Sequence, residues 1–258
     1  MPEVRSGPPE GLHRVLRGQG PGVVLVHGTA SDADGWTSQL ALSSRSFRLL
    51  AYDRRGTPRS PLPLGGRWSV ADHAADLSAL VAEVFPGEVP IAVGSSFGAV
   101  VALEAARRAP AAFRGLVLIE PPLPEADDAP AVPDSFLPQL LRLRDEEGGP
   151  TAAAFFLRAV LGRRAFEAMP ERWREQACAL HEQVVADCLA LAEYRPDYAG
   201  LAGLSIPVLL VGGGRSAPHF RATLGALSRT LPRARLETID GAGHMLHAEA
   251  ARRFAALL

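Results

Sequence analysis

Lysine is absent from the 258-residue chain, so all 27 basic residues are arginine. They stand against 28 acidic residues, for a formal net charge of −1. That balance excludes a basic footprint for nucleic acid and a polybasic membrane patch. With abundant Ala, Gly and Pro, the arginine-only usage reads as GC-rich coding rather than as function. Cysteine is nearly missing as well. Cys178 and Cys188 lie in one helical-looking region and have neither a disulfide framework nor a metal-ligand spacing, so free thiols in a reducing cytoplasm are expected. No apolar run approaches the roughly 20 residues of a membrane span. The opening Met1-Pro2-Glu3-Val4-Arg5 lacks the apolar core of a signal peptide. Neither an internal repeat nor a low-complexity tail is visible. Cytoplasmic location, a small-molecule substrate, no metal and no cofactor are the expectations, with a homodimer left open.

What is present suits one large α/β domain or one domain with an insertion: 47% hydrophobic and 21% charged residues. Leu12–Arg17 alternates like a strand. The glycines of Gly18–Gly22 precede the next strand instead of following one, so they make a turn and not a dinucleotide fingerprint. Val23–Val26 is a continuous β-branched run, as in a strand buried on both faces of a parallel sheet. A loop and helix fill Ser31–Ser43, and Phe47–Tyr52 is again a strand. Val70, Ala74, Leu77, Leu80 and Val81 form one helical stripe. Phe113–Glu120 ends a further strand at Pro121-Pro122.

From Leu123 to Gly203 the texture changes. A Pro- and acid-rich linker leads into helical runs at Leu137–Glu147, Thr151–Leu161 and Glu171–Leu191, with no strand signal between them. Strands return at Ile206–Val211 and Ala234–Ile239, separated by a helix over His219–Leu231 and followed by a last helix to Leu258. This pattern predicts a mostly parallel sheet flanked by helices, built from residues 1–122 and 204–258, with residues 123–203 as an all-helical cap.

The stretch Pro90–Ala106 joins a β-branched run to a helix through Gly94-Ser95-Ser96-Phe97-Gly98, which fits G-x-S-x-G. Ser96 is at the apex. Flanking residues without a Cβ let strand and helix pass closely, and the helix starting at Phe97 points free N–H groups at Ser96. Alone, the pentapeptide could be an ordinary Gly/Ser turn. It is accompanied by Val26-His27-Gly28-Thr29 with Trp36 downstream, by Asp53-Arg54-Arg55-Gly56, and by Gly241-Ala242-Gly243-His244. In this order the four motifs resemble the α/β-hydrolase superfamily, over nearly the whole chain outside the insertion.

A serine hydroxyl is a poor nucleophile until a base takes its proton. The resemblance makes His244 that base and Ser96 the nucleophile. It also implies an oxyanion hole from the backbone N–H groups of Phe97 and Thr29. His27 would orient its loop, Asp53–Gly56 would shape a turn near the site, and Ser95 would be a small turn residue. His247 reads as a surface or packing histidine, and the bare HxxH it makes with His244 lacks the glutamate of a zincin. The loop after Ile206–Val211, Gly212 to Pro218, has no carboxylate where the family commonly carries its acid. Some members, haloalkane dehalogenases among them, place the acid at the end of the strand after the elbow helix. Here that position is Glu120, and Asp240 is the rival. Serine rather than aspartate at position 96 argues against alkyl-enzyme chemistry.

The insertion is expected to form a lid. Phe155, Phe156, Leu137 and Leu141 are its apolar surface, most of it packed against the sheet domain. An apolar pocket favours small to medium hydrophobic esters, lactones or thioesters. The alternatives are thioester release, C–C hydrolysis or perhydrolysis on the same scaffold, or a hydrolase-fold protein that binds without catalysis.

Overall fold

The computed structural model describes residues 11–60, 67–124 and 133–258. The opening Met1–Arg5 and most of the Pro- and acid-rich linker fall outside these residues.

The chain runs β1 (Arg14–Arg17), β2 (Gly22–Val26), α1 (Thr37–Ser43), β3 (Arg48–Tyr52), α2 (Val70–Val84), β4 (Ile91–Ser95), α3 (Phe97–Arg108) and β5 (Gly115–Ile119). Six helices follow: α4 (Phe136–Glu147), α5 (Gly149–Leu161), α6 (Arg163–Ala168), α7 (Glu171–Ala179), α8 (His181–Glu193) and α9 (Tyr198–Leu201). Then come β6 (Val208–Gly213), α10 (Pro218–Thr230), β7 (Ala234–Ile239), α11 (Leu246–Glu249) and α12 (Ala251–Ala255).

The sheet order is β1-β3-β2-β4-β5-β6-β7, and only the β1–β3 pair is antiparallel. Strands β2 and β5 are buried at every position, which is why they read as unbroken apolar runs. Their side chains alternate between two cores. Val24, Val26, Leu116 and Leu118 meet one face with α2 and α3, while Val23, Leu25, Val117 and Ile119 meet the other with Trp36 and Phe254. The chain order reverses where β2 sits beside β4. That places the loops after both strands around one crevice at the carboxyl edge, the usual ligand position in such sheets.

Helix α2 starts with a capping box, in which Ser69 and Asp72 satisfy each other's backbone N–H groups. All five residues of its expected stripe are buried. The run Glu171–Leu191 is two helices rather than one, broken at Leu180, and α6 had no counterpart in the apolar pattern. The last helix is likewise split at Ala250. Helices α4–α8 hold a third core around Leu140, Phe156, Phe166 and Val184. Phe155, Leu137 and Leu141 pack against this third core, which takes in Ala30 of the sheet domain. Phe136 of α4 stacks on Phe155 of α5, 5.0 Å between centroids. Both cysteines are free, and burial pushes both thiols up from their ordinary range.

Candidate active site

Ser96 connects β4 to α3 with φ 53° and ψ −122°. A left-handed, non-glycine residue at this turn is strained, typically by about 1–3 kcal/mol. Packing holds it there. The Ser96 N–H donates to Ile119 O at 2.8 Å, and its two glycine neighbours are compelled by sterics. A Cβ on Gly94 would lie 2.3 Å from Gly98 O, and one on Gly98 would lie 2.2 Å from Val26 O. Among the described residues only Ala30, Ser96 and Glu120 have positive φ without being glycine. They follow β2, β4 and β5, and so surround the same crevice.

Glu120 (φ 43°) ends β5 with its side chain 1% exposed. One carboxylate oxygen, Oε1, accepts the Gly213 N–H at 2.7 Å, and the other, Oε2, is 2.6 Å from His244 Nδ1. A carboxylate accepts here, so Nδ1 carries a ring proton and Nε2 is the nitrogen turned away from the acid. Phe220 stacks on the His244 ring, 4.3 Å between centroids and 17° from parallel. The last residue of β6, which bears no carboxylate, therefore supplies a backbone donor to the acid that follows the neighbouring strand. Asp240 is elsewhere, exposed at the end of β7, with its carbonyl accepting from Arg253.

On the loop after β2, the Arg54 backbone N–H donates to His27 Nε2 at 2.9 Å. The ring proton of His27 is thus on Nδ1, which donates to Gly28 O at 2.8 Å. Burial, and then the charge of Arg54, holds this imidazole neutral by moving its pKa well below the usual value. His27 therefore orients its loop as a neutral imidazole with both ring nitrogens hydrogen-bonded. Asp53 accepts from Ala33 N–H at 2.8 Å and from Arg59, fixing the 3-10 turn that carries Trp36.

The motif reading placed Arg54 in a turn near the site and missed its pairing. Arg54 is buried beneath the loop after β2, and its ion-pair partner is Asp187 of α8, 2.7 Å away, with 0% and 2% of the two side chains exposed. Flanked by Asp53 and Arg55, it looked like one more charge of a turn, and its partner is 133 positions further on.

Ser96, His244, Gly28 and Thr29 line one cavity of about 70 Å³, closed by Phe156, Leu157 and other apolar side chains of α5–α7. Phe97 and Glu120 stand just behind it. His247 also lines this cavity, 4.5 Å from Trp36, and burial followed by the charge of His244 pushes its pKa down to about 3. It is a buried packing residue, not a surface one. A larger cavity, about 520 Å³, opens between the start of α2 and α8 beside Trp68 and His181, and none of the expected site residues lines it. Among the described residues, no helix is long and apolar enough to cross a membrane, and no three His, Cys, Asp or Glu side chains are grouped to hold a metal ion.

Residues 23–257 match the model of the alpha/beta hydrolase family. The chain belongs to that family. Its fold is similar to that of a thermophilic esterase from Thermogutta terrifontis, with TM-score 0.80 and 26% identity over 95% of this chain and 90% of that one. An enol-lactonase from Burkholderia xenovorans LB400 has the same fold, with TM-score 0.79 and 22% identity over 95% and 94%. In sequence, 111 residues are 35% identical to a putative carbamate hydrolase, RutD, from Variovorax paradoxus. That match spans 42% of this chain and only 41% of the relative.

Proposed function

We propose that this α/β-hydrolase is a serine hydrolase that cleaves small carboxylic esters or lactones through an acyl-enzyme. The observation that carries the reading is the 2.6 Å contact of Glu120 with His244 Nδ1, which leaves Nε2 as the base in a cavity shared with Ser96.

Ser96 Oγ attacks the carbonyl carbon as His244 Nε2 takes its proton. The oxyanion that forms is held by the backbone N–H groups of Thr29 and Phe97, and Glu120 stabilises the transient imidazolium. The imidazolium then gives its proton to the leaving alkoxide, releasing an alcohol and leaving the acyl group on Oγ. A water molecule repeats the sequence with the same base and frees the acid. Removing one oxyanion donor typically costs about 3 kcal/mol of barrier.

The cavity, about 70 Å³, is small. On the side of α5–α7 its lining is apolar, with Phe156, Leu157, Val160 and Leu161, so short acyl groups such as acetyl to butyryl fit best. The likeness to an esterase and to an enol-lactonase favours esters and lactones over thioesters and C–C bonds. Helices α4–α8 act as the lid over this pocket, with Phe156, Leu157 and Ala177 lining it.

Incubation with a fluorophosphonate followed by peptide mass spectrometry tests the reading. Expected is an adduct on Ser96 that disappears in Ser96→Ala and falls steeply in His244→Ala, together with hydrolysis of p-nitrophenyl acetate. A folded protein whose Ser96 stays unlabelled and which leaves the ester intact would instead be a binding module.

A further inference from the structure

Arg54 makes four hydrogen bonds with its five N–H donors. Nε donates to His27 O at 3.0 Å and Nη2 to Gly28 O at 3.2 Å. Nη1 and Nη2 also hold the two Asp187 oxygens at 3.0 and 2.7 Å, a bidentate pair. The guanidinium lies 4.5 Å from the centre of the Phe97 ring. Asp187 Oδ2 accepts in addition from the Thr29 hydroxyl at 2.8 Å. One buried cation therefore holds the backbone just before the Thr29 N–H and lies over the side-chain ring of Phe97, and its counter-ion comes from the lid.

The peptide unit is planar and trans, so the Gly28 carbonyl and the Thr29 N–H point in opposite directions within one plane. Two donors, His27 Nδ1 and Arg54 Nη2, fix the Gly28 carbonyl. Fixing that oxygen fixes the direction of the Thr29 N–H on the other side of the plane. Ala30, next in line, is in the left-handed region at φ 57°, so the loop needs external restraint to stay in this shape.

We propose that Arg54 and Asp187 are positioning residues that clamp the Thr29 peptide in its oxyanion-binding orientation, so that the hole is complete only while α8 of the lid is seated on the loop after β2. The clamp rests on the serine-hydrolase reading and adds a role for the lid beyond enclosing substrate. A lid helix that swings away takes Asp187 with it and leaves Arg54 without its counter-ion. Hydrolysis is then tied to closure, and an open enzyme wastes no acyl-enzyme on a half-formed hole.

The test uses the full chain and compares a trifluoromethyl ketone with the matching methyl ketone. Only the former is trapped by serine as an oxyanion, so the ratio of their inhibition constants reads the hole and not the pocket. In Asp187→Asn, kcat for p-nitrophenyl butyrate should fall about 30- to 100-fold, with KM changed by less than about threefold and the ketone ratio falling in parallel. The double variant Arg54→Met/Asp187→Leu replaces the buried pair by apolar groups, which often restores stability. It should unfold near the parent temperature and still lack most of kcat. Thr29→Val, which keeps the backbone N–H and loses only the hydroxyl bond, should lower the ketone ratio about fivefold even if the other variants fail to fold. Tyr194→Phe cuts a different tie between lid and core, the 3.0 Å bond to Glu104, and should leave kcat unchanged.

A folded Asp187→Asn or a double variant with parental kcat and ketone ratio would overturn the clamp. So would a Thr29→Val enzyme with the parental ratio, or a loss in Tyr194→Phe equal to that in Asp187→Asn. Retention of ester hydrolysis by Ser96→Ala would instead remove the serine-hydrolase reading, and the clamp with it, an outcome separable from a Ser96-dependent enzyme that ignores Asp187.

Discussion

His244 and His247 are one helical turn apart and almost equally buried, at 6% and 4% exposure, yet their surroundings differ completely. His244 faces a carboxylate at 2.6 Å and a stacked phenyl ring. His247 faces Trp36, and its Nδ1 has no hydrogen-bond partner. The same imidazole is thus held by a carboxylate at one position and kept from taking up a proton at the other. Burial, followed by the charge of His244, produces the second behaviour; the strand-end acid reached from β5 sets the first ring's orientation.

The sharpest way to break this contrast is to remove the acid. Glu120→Gln should lower kcat by about 10³–10⁴, since the ring loses both its tautomer and the stabilisation of its charged form. Asp240→Asn, on the neighbouring loop, should stay within about twofold of the parent on the same p-nitrophenyl ester. A reversed result would transfer the acid role to Asp240.

A weaker perturbation leaves both ionisable groups in place and disturbs their seat. The Cβ of Gly213→Ala would lie 2.5 Å from Gly243 O and 2.7 Å from Ala242 O, pushing on the backbone that carries His244. Steady-state kinetics should register about a tenfold to hundredfold loss of kcat, with a lowered melting temperature. Parental kinetics would mean that the loop yields without moving the ring.

The smallest effect belongs to His247 and appears in stability. Its folded pKa of about 3 lies below the unfolded value near 6.5. Between those limits the unfolded chain binds a proton that the folded chain refuses, so stability falls as pH drops from about 6.5 towards 3. In His247→Gln that proton is absent from both states. Urea titrations from pH 6.5 to 4.5 should show the parent losing about 1.4 kcal/mol per pH unit more than the variant. Parallel pH curves for the two proteins would place His247 in a wetter setting.

The site was legible where geometry is local. Gly94 and Gly98 had to be glycine because a strand and a helix pass within contact distance, and that demand shows as G-x-S-x-G around Ser96. Glu120 was named as the candidate acid because Gly212 to Pro218 offers no carboxylate, together with the family resemblance, and it contacts His244 Nδ1. Strands β2, β4, β5 and β6 were visible as β-branched runs because the sheet buries both their faces. Pairs joined only in space were not legible. Nothing near Arg54 announces Asp187, which sits on a helix with a mixed polar face. The break at Leu180 carries neither Gly nor Pro, and α6 is six residues long, too short to establish a period. Packing of Phe155, Leu137 and Leu141 within the α4–α5 pair depended on which helix met which, and apolar spacing along one helix does not record that.

One consequence follows from the left-handed residues at the ends of β4 and β5. Ser95 pairs with Ile119 in register, and the next amide is tied to the Ile119 carbonyl, so hydroxyl and acid hang from the same rung of the ladder. Thermal breathing of helices α4–α8 reaches them only as a common displacement, with little shear between them. Under the proposed function, warming should therefore spoil admission of substrate well before it spoils the alignment of Ser96, His244 and Glu120.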